Sequence, residues 1–288
     1  MQRIAFVTYA QHPKLMDDDA FALPHLQGLG IETVAAVWDD PAIRWQDFDA
    51  VILRSCWDYH HKPEAFRRWL DDLTAAGVKL WNPAAIVRWN MDKLYLRDLA
   101  ERGVPIPRTV WIAAGQPLEL TSVFLQQDFA QAVIKPAISA TAFNTFQSSR
   151  KDALQDQVKL DAILEKSGAL VQEFLPEIVS YGEWSLLFFE GQYSHAVLKR
   201  PMPGDFRVQN DFGGSYTPAV PPPQLIAQAV AILQTVDQPL LYARVDGVDR
   251  ADRFVLIELE LIEPALFLRA EASAPERFAQ AIQARLRG

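Results

Sequence analysis

The chain has 288 residues, 50% of them hydrophobic and 22% charged, an ordinary composition for a globular protein with one large or two modest domains. A formal net charge of −8 without any basic run argues against a nucleic-acid partner. Apolar stretches no longer than a strand, a start too short for a signal segment and the single cysteine, Cys56, predict no membrane span, no internal disulfide and a cytoplasmic location.

In the first third of the chain, predicted strands alternate with predicted helices. The strands are predicted at residues 3–8, 31–37, 49–54 and 78–81, and the helices at residues 13–28 and 63–76. This alternation indicates a parallel sheet whose strands are joined by helical crossovers. Ligands of such sheets bind at the carboxyl ends of the strands, where we expect the loops at residues 8–12 and 54–61.

The loop at residues 54–61 combines cationic, polar and aromatic side chains at a strand end, which suits an anionic or amphoteric substrate. It supplies three candidate substrate residues, Arg54, Asp58 and Tyr59. The alternative interpretation is structural, with Asp58 as a helix cap and Trp57 in the core.

Two lysines stand out in the middle third. Lys93 is predicted in the first turn of a helix, where a cation opposes the helix dipole unless an anion binds nearby. Lys135 is predicted at the end of an apolar strand, where a buried ammonium needs a negative partner. The small-residue loop at 137–145 follows, and its backbone N–H and hydroxyl groups could fold over phosphates. The alternative for either lysine is an ordinary surface amine.

The next segment predicts a hairpin and then a lid. Residues 182–201 form the predicted hairpin, in which His195 is interpreted as a packing residue rather than a base. Residues 203–214 are polar and basic beside glycines, which favours a lid that sequesters a reacting phosphate from water. Asn210 and Gly214, in this lid, are further candidate substrate residues.

The last third predicts a second hairpin that carries acidic residues. Apolar residues precede Asp246 and fill positions 254–262, with a polar turn between them. Side chains alternate along a strand, so Glu258 and Glu260 share a face, and the fold-back brings Asp246 near them. Three such carboxylates repel one another unless a cation lies between them, and oxygen ligands indicate Mg²⁺ or Mn²⁺. The alternative is a solvated strand face with scattered acids.

The order of these segments is more specific than any one of them. A lysine that opens a helix before Gly-Val-Pro-Ile-Pro is followed by Lys135-Pro136, Gln172-Glu-Phe-Leu175, Gly182-Glu183, the basic lid, Arg244-Val-Asp246 and Glu258-Leu-Glu260. This order resembles the ATP-grasp superfamily, in particular its glutathione synthetase-like and D-alanine–D-alanine ligase-like branches. The stretches 54–59, 89–93 and 258–267 look most like the subgroup that contains the D-cycloserine-forming ligase of antibiotic biosynthesis.

The resemblance, which covers about residues 90–268, implies an α/β (α+β) chain with the ATP-grasp fold. Its parts would be an N-terminal parallel α/β domain at residues 1–88, a central subdomain at 89–170 and a C-terminal subdomain with the metal site at 171–288.

The resemblance also implies a role for individual residues. Lys93 and Lys135 would contact the phosphates of ATP, and Glu183 would hold its ribose. The adenine-binding hinge would consist of Gln172, Glu173, Phe174 and Leu175, and two Mg²⁺ ions would be held by Asp246, Glu258 and Glu260. Catalytic stabilisation of the transferred phosphoryl group and the later oxyanion would come from Arg244, Arg207 and Lys135. The chain departs from the family in Glu260, where Asn is usual, and in Ser139, Ala140 and Thr141, where glycines are usual.

The activity implied is an ADP-forming ligase that joins a carboxylate to an amine or related nucleophile through an acyl phosphate, with ATP and Mg²⁺ or Mn²⁺. Its partners would be small molecules. Many relatives are dimers, which makes a homodimer one candidate assembly, although no stretch of this sequence identifies an interface. Two alternatives remain: a kinase-like ATP-grasp phosphotransferase, and a non-catalytic nucleotide-binding protein.

Overall fold

The N-terminal part of the chain folds around a four-stranded parallel sheet in the computed structural model, which describes residues 2–209 and 212–288. Its strands are β1 (Gln2–Thr8), β2 (Ile31–Val37), β3 (Ala50–Leu53) and β4 (Leu80–Trp81), in the order β2-β1-β3-β4. Its helices are α1 (Asp17–Ala20), α2 (Leu23–Gly28) and α3 (Pro63–Ala75). The predicted parallel sheet is therefore confirmed.

The prediction of one helix at residues 13–28 is wrong. Residue Met16 is extended, and two short helices, α1 and α2, replace the single one. Pro24 lies at the start of α2 and has no backbone N–H, so it cannot donate the hydrogen bond that would continue α1 into α2.

A four-stranded antiparallel sheet forms the middle of the molecule. It follows two helices, α4 (Ala84–Asn90) and α5 (Tyr95–Glu101). Its strands are β5 (Thr109–Ile112), β6 (Gln131–Pro136), β7 (Phe146–Ser149) and β8 (Ala169–Glu173), in the order β5-β8-β6-β7. Helices α6 (Leu120–Gln126) and α7 (Ala153–Leu164) pack on it. Strand β8 continues this sheet to Glu173; the domain boundaries drawn at 88/89 and 170/171 stay predictions.

The prediction that Lys93 lies in the first turn of a helix is wrong. Lys93 lies in the turn between α4 and α5, where its backbone N–H donates to the carbonyl of Ala137 at 2.8 Å. The loop after β6 is therefore tied to the segment that carries Lys93.

A five-stranded antiparallel sheet makes up the C-terminal part. Helix α8 (Glu177–Ser180) precedes it, and its strands are β9 (Glu183–Phe189), β10 (Gln192–Arg200), β11 (Ser215–Pro218), β12 (Tyr242–Arg250) and β13 (Arg253–Glu260). The strand order is β11-β10-β9-β12-β13, and helices α9 (Pro223–Leu233) and α10 (Ala274–Arg287) accompany the sheet. Both predicted hairpins, β9–β10 and β12–β13, are confirmed.

The register of the β12–β13 hairpin agrees with the predicted shared face. Asp246 pairs with Glu258 and Arg244 pairs with Glu260. A register shift follows Asp246 at Gly247, where an added Cβ would lie 2.6 Å from the ring of Phe254. Glycine is therefore required at this position, because it lets that ring close over the strand next to Asp246.

Buried hydrogen bonds join the N-terminal and C-terminal sheets. The hydroxyl of Tyr242 lies 2.8 Å from the carbonyl of Leu53 and 2.7 Å from that of Ile262. The side-chain amide of Asn90 binds the backbone on both sides of Glu260, the last residue of β13. It donates to the Leu259 carbonyl and accepts from the Leu261 N–H. These contacts hold the end of β13 against the loops of the parallel sheet. Within residues 2–209 and 212–288, no helix is long and apolar enough to cross a membrane.

Candidate active site

A cavity of about 410 Å³ lies between the middle sheet, the β12–β13 hairpin and the loop after β6. Most of the residues assigned from the sequence line it. They are Tyr59, Lys93, Lys135, Gln172, Glu173, Leu175, Glu183, Arg207, Arg244, Asp246, Glu258 and Glu260. Elements separated by up to about two hundred residues in sequence thus contribute to one wall of charged groups.

Two buried amines face the acidic hairpin. Lys93 donates from Nζ to Glu258 Oε1 at 2.6 Å and to the Ser139 carbonyl at 3.0 Å. Lys135 is 6% exposed at the end of β6. Burial lowers the pKa of Lys135 to about 8, Glu258 partly opposes this, and Lys93 adds to it. An anion bound here would raise the pKa of Lys135 again and would be attracted by both amines.

Asp246 lies at the centre of a buried charge network. Its carboxylate accepts from Lys199 Nζ at 3.0 Å, from Arg244 Nε at 3.0 Å and from Ser185 Oγ at 2.7 Å. Burial alone would raise the pKa of Asp246, but Arg244 and Lys199 outweigh it and lower the pKa. Asp246 is therefore charged and held in place by three donors.

The two glutamates of β13 differ in their electrostatics. Burial raises the pKa of Glu258, but Lys93 and Lys135 together lower it below the ordinary value. Glu260 accepts a hydrogen bond from Arg244. Burial nevertheless raises the pKa of Glu260 to about 7, with Asp246 and Glu258 adding to the rise while Arg244 opposes it. Glu258 is therefore stabilised in its charged form, whereas Glu260 is the carboxylate of this face whose charge burial disfavours.

The donor chemistry of this face fits a magnesium ion, since Asp246, Glu258 and Glu260 offer only hard oxygen ligands. Burial, followed by the neighbouring carboxylates Asp246 and Glu258, raises the pKa of Glu260, and a bound cation would lower it. The side chains are turned towards Lys93, Lys199 and Arg244 instead of one another. Accordingly, within residues 2–209 and 212–288, no three His, Cys, Asp or Glu side chains converge on one point as metal ligands.

Lys199 is a residue of this site that the sequence reasoning overlooked. It is 7% exposed on β10, lines the cavity, and contacts Glu183 at 2.5 Å and Asp246 at 3.0 Å. The signal was present in the sequence, because Lys199 follows the apolar run Ala196–Leu198 within a strand. A lysine in a buried strand requires a negative partner, and this holds for Lys199 as it does for Lys135.

Part of the cavity lining is apolar. Leu175, Ile178, Val208 and Ile257 line the cavity and belong to one small cluster that also contains Val248 and Val255. Phe174 is not among the lining residues, but its ring packs edge to face against that of Phe206, a lining residue in the predicted lid, with ring centroids 6.4 Å apart. The polar groups of the predicted hinge are partly engaged: Gln172 donates to Thr109, Glu173 accepts two bonds from Arg108, and the Glu173 N–H donates to the Arg108 carbonyl.

Arg207 lies in the predicted lid and lines the cavity, but its guanidinium forms an ion pair with Asp205. Its guanidinium donates to Asp205 at 2.7 Å and lies 3.7 Å from the centre of the Phe212 ring. The hydrogen bonds from Arg207 lower the pKa of Asp205 to about 2. Gly214 lines neither this cavity nor its neighbour, and an added Cβ would lie 2.2 Å from the Val208 carbonyl oxygen. Asn210 lies outside the described residues.

A second cavity of about 680 Å³ adjoins the first. The two cavities share Met16, Trp57, Tyr216, Ala265 and Phe267 in their linings. Arg54 lines the second cavity, but it is buried and donates to Asp19 at 2.9 Å and to the Pro264 carbonyl at 2.8 Å.

The structure does not bring Asp58 into either cavity. Its carboxylate accepts from Trp38 Nε1 at 2.7 Å and from Lys62 Nζ at 3.3 Å. Tyr59, by contrast, lines the first cavity and packs against Phe66. The loop at residues 54–61 therefore divides its side chains between internal contacts and the cavity walls.

Comparison with known proteins gives consistent matches over the whole chain. Residues 4–82 match the family model of the N-terminal domain of D-cycloserine synthetase DcsG. The chain is 31% identical to the cycloserine biosynthesis protein DcsG of Streptomyces lavendulae over 299 residues, which cover 99% of each protein. The crystal structure of D-cycloserine synthetase DcsG is similar with a TM-score of 0.87 at 29% identity, covering 99% of both chains.

A more distant match extends the likeness of fold. The crystal structure of D-alanine–D-alanine ligase from Bacillus anthracis complexed with ATP has a TM-score of 0.71. It is 15% identical, with 99% of this chain and 97% of that chain covered. This match is one of fold.

Proposed function

The chain belongs to the DcsG family of ATP-grasp ligases, and from this premise we propose that it is an ADP-forming carboxylate–amine ligase using ATP and Mg²⁺. The observation that carries this proposal is the convergence of Lys93, Lys135 and Lys199 on the acidic face of the β12–β13 hairpin. Three amines from three separate elements form a site for a polyanion, and the apolar part of the lining suits a flat base.

In the first step, a substrate carboxylate oxygen bonds to the γ-phosphorus of ATP, and the bond to the β,γ-bridging oxygen breaks, leaving ADP and an acyl phosphate. Lys93, Lys135 and Lys199 would neutralise the phosphate oxygens as charge shifts among them. Arg244 lines the first cavity, donates to the carbonyl of Ala265, which lines both cavities, and would hold the transferred phosphoryl group. Positioning and electrostatics supply most of the rate in such a transfer.

In the second step, the amine nitrogen attacks the acyl carbon, the carbon–oxygen bond to phosphate breaks, and the nitrogen loses a proton. Arg244 would stabilise the oxyanion, since Asp246 and Glu260 fix its guanidinium and the Ala265 carbonyl accepts from Nη1 at 3.2 Å. Arg207 would add a second cation when it leaves Asp205 for the phosphate.

The magnesium ions would be held by Glu258 and Glu260, with Asp246 as a third oxygen donor. When bound, Mg²⁺ neutralises phosphate charge and orients the triphosphate. Lys93 would then exchange its contact with Glu258 for one with a phosphate, because both amine and ion compete for the same carboxylate. Glu260 would lose its proton on binding the ion, since its pKa of about 7 falls next to a cation.

The substrates we propose are small molecules that occupy the second cavity and meet the nucleotide at the shared wall. By analogy with the DcsG proteins, the reaction is the closure of a C–N bond in the biosynthesis of a cycloserine-like antibiotic. A homodimer and a cytoplasmic location stay predictions from the sequence.

The proposal is tested by measuring ADP, free phosphate and C–N product with ATP, Mg²⁺ and a panel of amino acids and amines. We expect one ADP and one free phosphate for each C–N bond formed. A phosphorylated product without free phosphate would identify a phosphotransferase, and ATP binding without turnover on any substrate would identify a nucleotide-binding protein.

A pair of lysine variants adds a control to this assay. Lys199→Met removes a cavity cation, and we expect turnover to fall about a hundredfold or more. Lys159→Met removes a lysine on α7 whose side chain is 56% exposed, and we expect no change. Equal activity of both variants would contradict the assignment of the cavity.

A further inference from the structure

One short segment, residues 264–269, lies where the two cavities adjoin, and we name it the wall segment. Ala265 and Phe267 line both cavities. The Phe267 carbonyl accepts from the backbone N–H of Ala270 at 2.9 Å, and side chains from other parts of the chain make further contacts with the backbone of the wall segment. Arg54 donates to the Pro264 carbonyl, Arg244 to the Ala265 carbonyl and His195 to the carbonyls of Leu266 and Phe267, while Asp18 accepts from the N–H groups of Leu268 and Arg269.

Phe267 is the strained residue of the wall segment. Its φ of 49° and ψ of 40° lie in the left-handed region, which is unfavourable by about 1–2 kcal/mol for a residue with a Cβ. Its ring lies 4.6 Å from that of Tyr216 and 5.6 Å from the guanidinium carbon of Arg244. The backbone conformation therefore places an aromatic wall beside the arginine that the mechanism uses.

His195 contacts the backbone of the wall segment through its imidazole ring. Its Nε2 lies 2.9 Å from the Leu266 carbonyl oxygen and 3.2 Å from the Phe267 carbonyl oxygen. Two carbonyls can only accept, so Nε2 carries the proton and donates. Burial, and Arg277 after it, lower the pKa of His195, which favours the neutral ring. Nδ1 is then an acceptor.

A chain of hydrogen bonds extends behind the ring and fixes this tautomer. The Ser194 hydroxyl lies 2.8 Å from Nδ1 and donates to it, since Nδ1 accepts. Ser194 in turn accepts from Arg277 Nε at 3.0 Å. A register shift in the pairing of β10 with β9 falls at Ser194, between Tyr193 and His195. A bulge of this kind changes the direction of the side chains at it, and here the Ser194 hydroxyl lies within hydrogen-bond distance of the His195 ring.

We propose that His195 is a positioning residue for the ligation reaction, acting through the Leu266 and Phe267 carbonyls to hold the wall segment against Arg244. This inference rests on the proposed function and deepens it. It revises the interpretation of His195 as a packing residue, because the buried imidazole also donates a hydrogen bond that positions the wall segment. Without that donor, the Leu266 carbonyl loses this hydrogen bond and the Phe267 carbonyl keeps its bond from the Ala270 N–H. The Phe267 ring and the Ala265 carbonyl can then shift relative to Arg244, whose guanidinium Asp246 and Glu260 still hold.

The test compares two substitutions of different chemistry at position 195. His195→Phe keeps an aromatic ring but has no donor, and His195→Gln keeps an amide N–H that can reach the same carbonyls. We expect His195→Phe to lower kcat roughly ten- to a hundredfold, as misplacement of a catalytic group does, with the Kd for ATP changed less than about twofold. We expect His195→Gln to recover most of the loss. His25→Phe, at an exposed histidine on α2, is the matched control and should behave as wild type.

The outcomes separate positioning from packing. Wild-type kcat in His195→Phe would overturn the proposal. So would an equal loss in both variants that follows a lowered midpoint of unfolding, because packing, not donation, would then be the cause. If wild type forms no C–N bond with any substrate, the proposed function fails and the crystal structure of His195→Phe decides the inference. A Phe267 ring displaced from Tyr216 supports it, and an unmoved ring overturns it.

Discussion

Replacing the charged side chain of Lys135 should stabilise the ATP-free protein and at the same time destroy its activity. Lys135 is 6% exposed, and burial lowers its pKa from 10.5 to about 8. The proposed substitution is Lys135→Met, which keeps the aliphatic side chain and removes the charge. It tests whether the ammonium is held in an unfavourable environment for the sake of a bound phosphate.

The expected stabilisation follows from the lowered pKa. A difference of about 2.5 pKa units corresponds to about 3 kcal/mol, by which the folded state disfavours the charged amine. The charge also supports Glu258, whose pKa it helps to lower, so the expected net gain in unfolding free energy is about 1–3 kcal/mol. Below pH 8 the amine is charged in both states and the penalty is complete. As the pH rises from 8 to 10.5 the folded state loses its proton first, and the penalty disappears.

The expected loss of activity is larger than the gain in stability. A preorganised cation that faces developing charge contributes roughly a hundred- to a thousandfold to the rate. Lys135→Met should therefore reduce ATP-dependent phosphate release by at least that factor. Lys135→Ala should do the same without retaining the packing of the side chain.

Urea denaturation of the ATP-free protein at pH 7 and at pH 10, together with a phosphate-release assay, checks both parts. The variant should be the more stable protein at pH 7, and this advantage should shrink at pH 10. A variant that is less stable than wild type at pH 7 would refute the reasoning about burial. A variant that turns over at the wild-type rate would refute the assignment of Lys135 to the phosphates.

Two further predictions concern the hairpin and the joint between the sheets. Glu258→Gln should leave ATP binding measurable by calorimetry but lower Mg²⁺-dependent phosphate release about a hundredfold or more, and an unchanged Mg²⁺ titration would count against the metal assignment. Tyr242→Phe should lower the unfolding free energy by about 1–3 kcal/mol, since the buried carbonyl of Ile262 loses this donor while that of Leu53 keeps only the longer bond from Arg54 Nη1 at 3.3 Å. ATP affinity should stay within about twofold, and urea denaturation that shows no change would contradict the role of this hydroxyl in joining the sheets.

Local sequence was sufficient for the elements whose pattern is short in range. The alternation of side chains along β13 placed Glu258 and Glu260 on one face, and the turn before Arg253 brought Asp246 opposite Glu258. The strand–helix alternation of the first eighty residues predicted the parallel sheet. Pro24 shows the limit of such reasoning, since one missing N–H divided a helix that the apolar pattern alone would have continued.

The partner of each charged side chain could not be predicted in the same way, because it depends on packing between distant elements. Arg54 and Asp58 looked like equivalent loop residues, yet Arg54 is bound to Asp19 and Pro264, while Asp58 is bound to Trp38 and Lys62. Lys199 has the same local signal as Lys135, a lysine within an apolar strand, but its partner Asp246 follows only from the sheet order, in which β10 and β12 lie on either side of β9.

The sequence by itself determined which chemistry this protein carries: hard oxygen ligands on one strand face, lysines in buried strands, and the order of motifs typical of ATP-grasp ligases. Only the tertiary structure decided which charges neutralise which, that the two cavities share one wall, and that His195 supports that wall from behind. The physical reason is one of range. Periodicity and turns act over a few residues, whereas burial and Coulomb attraction act between any groups that the fold brings together.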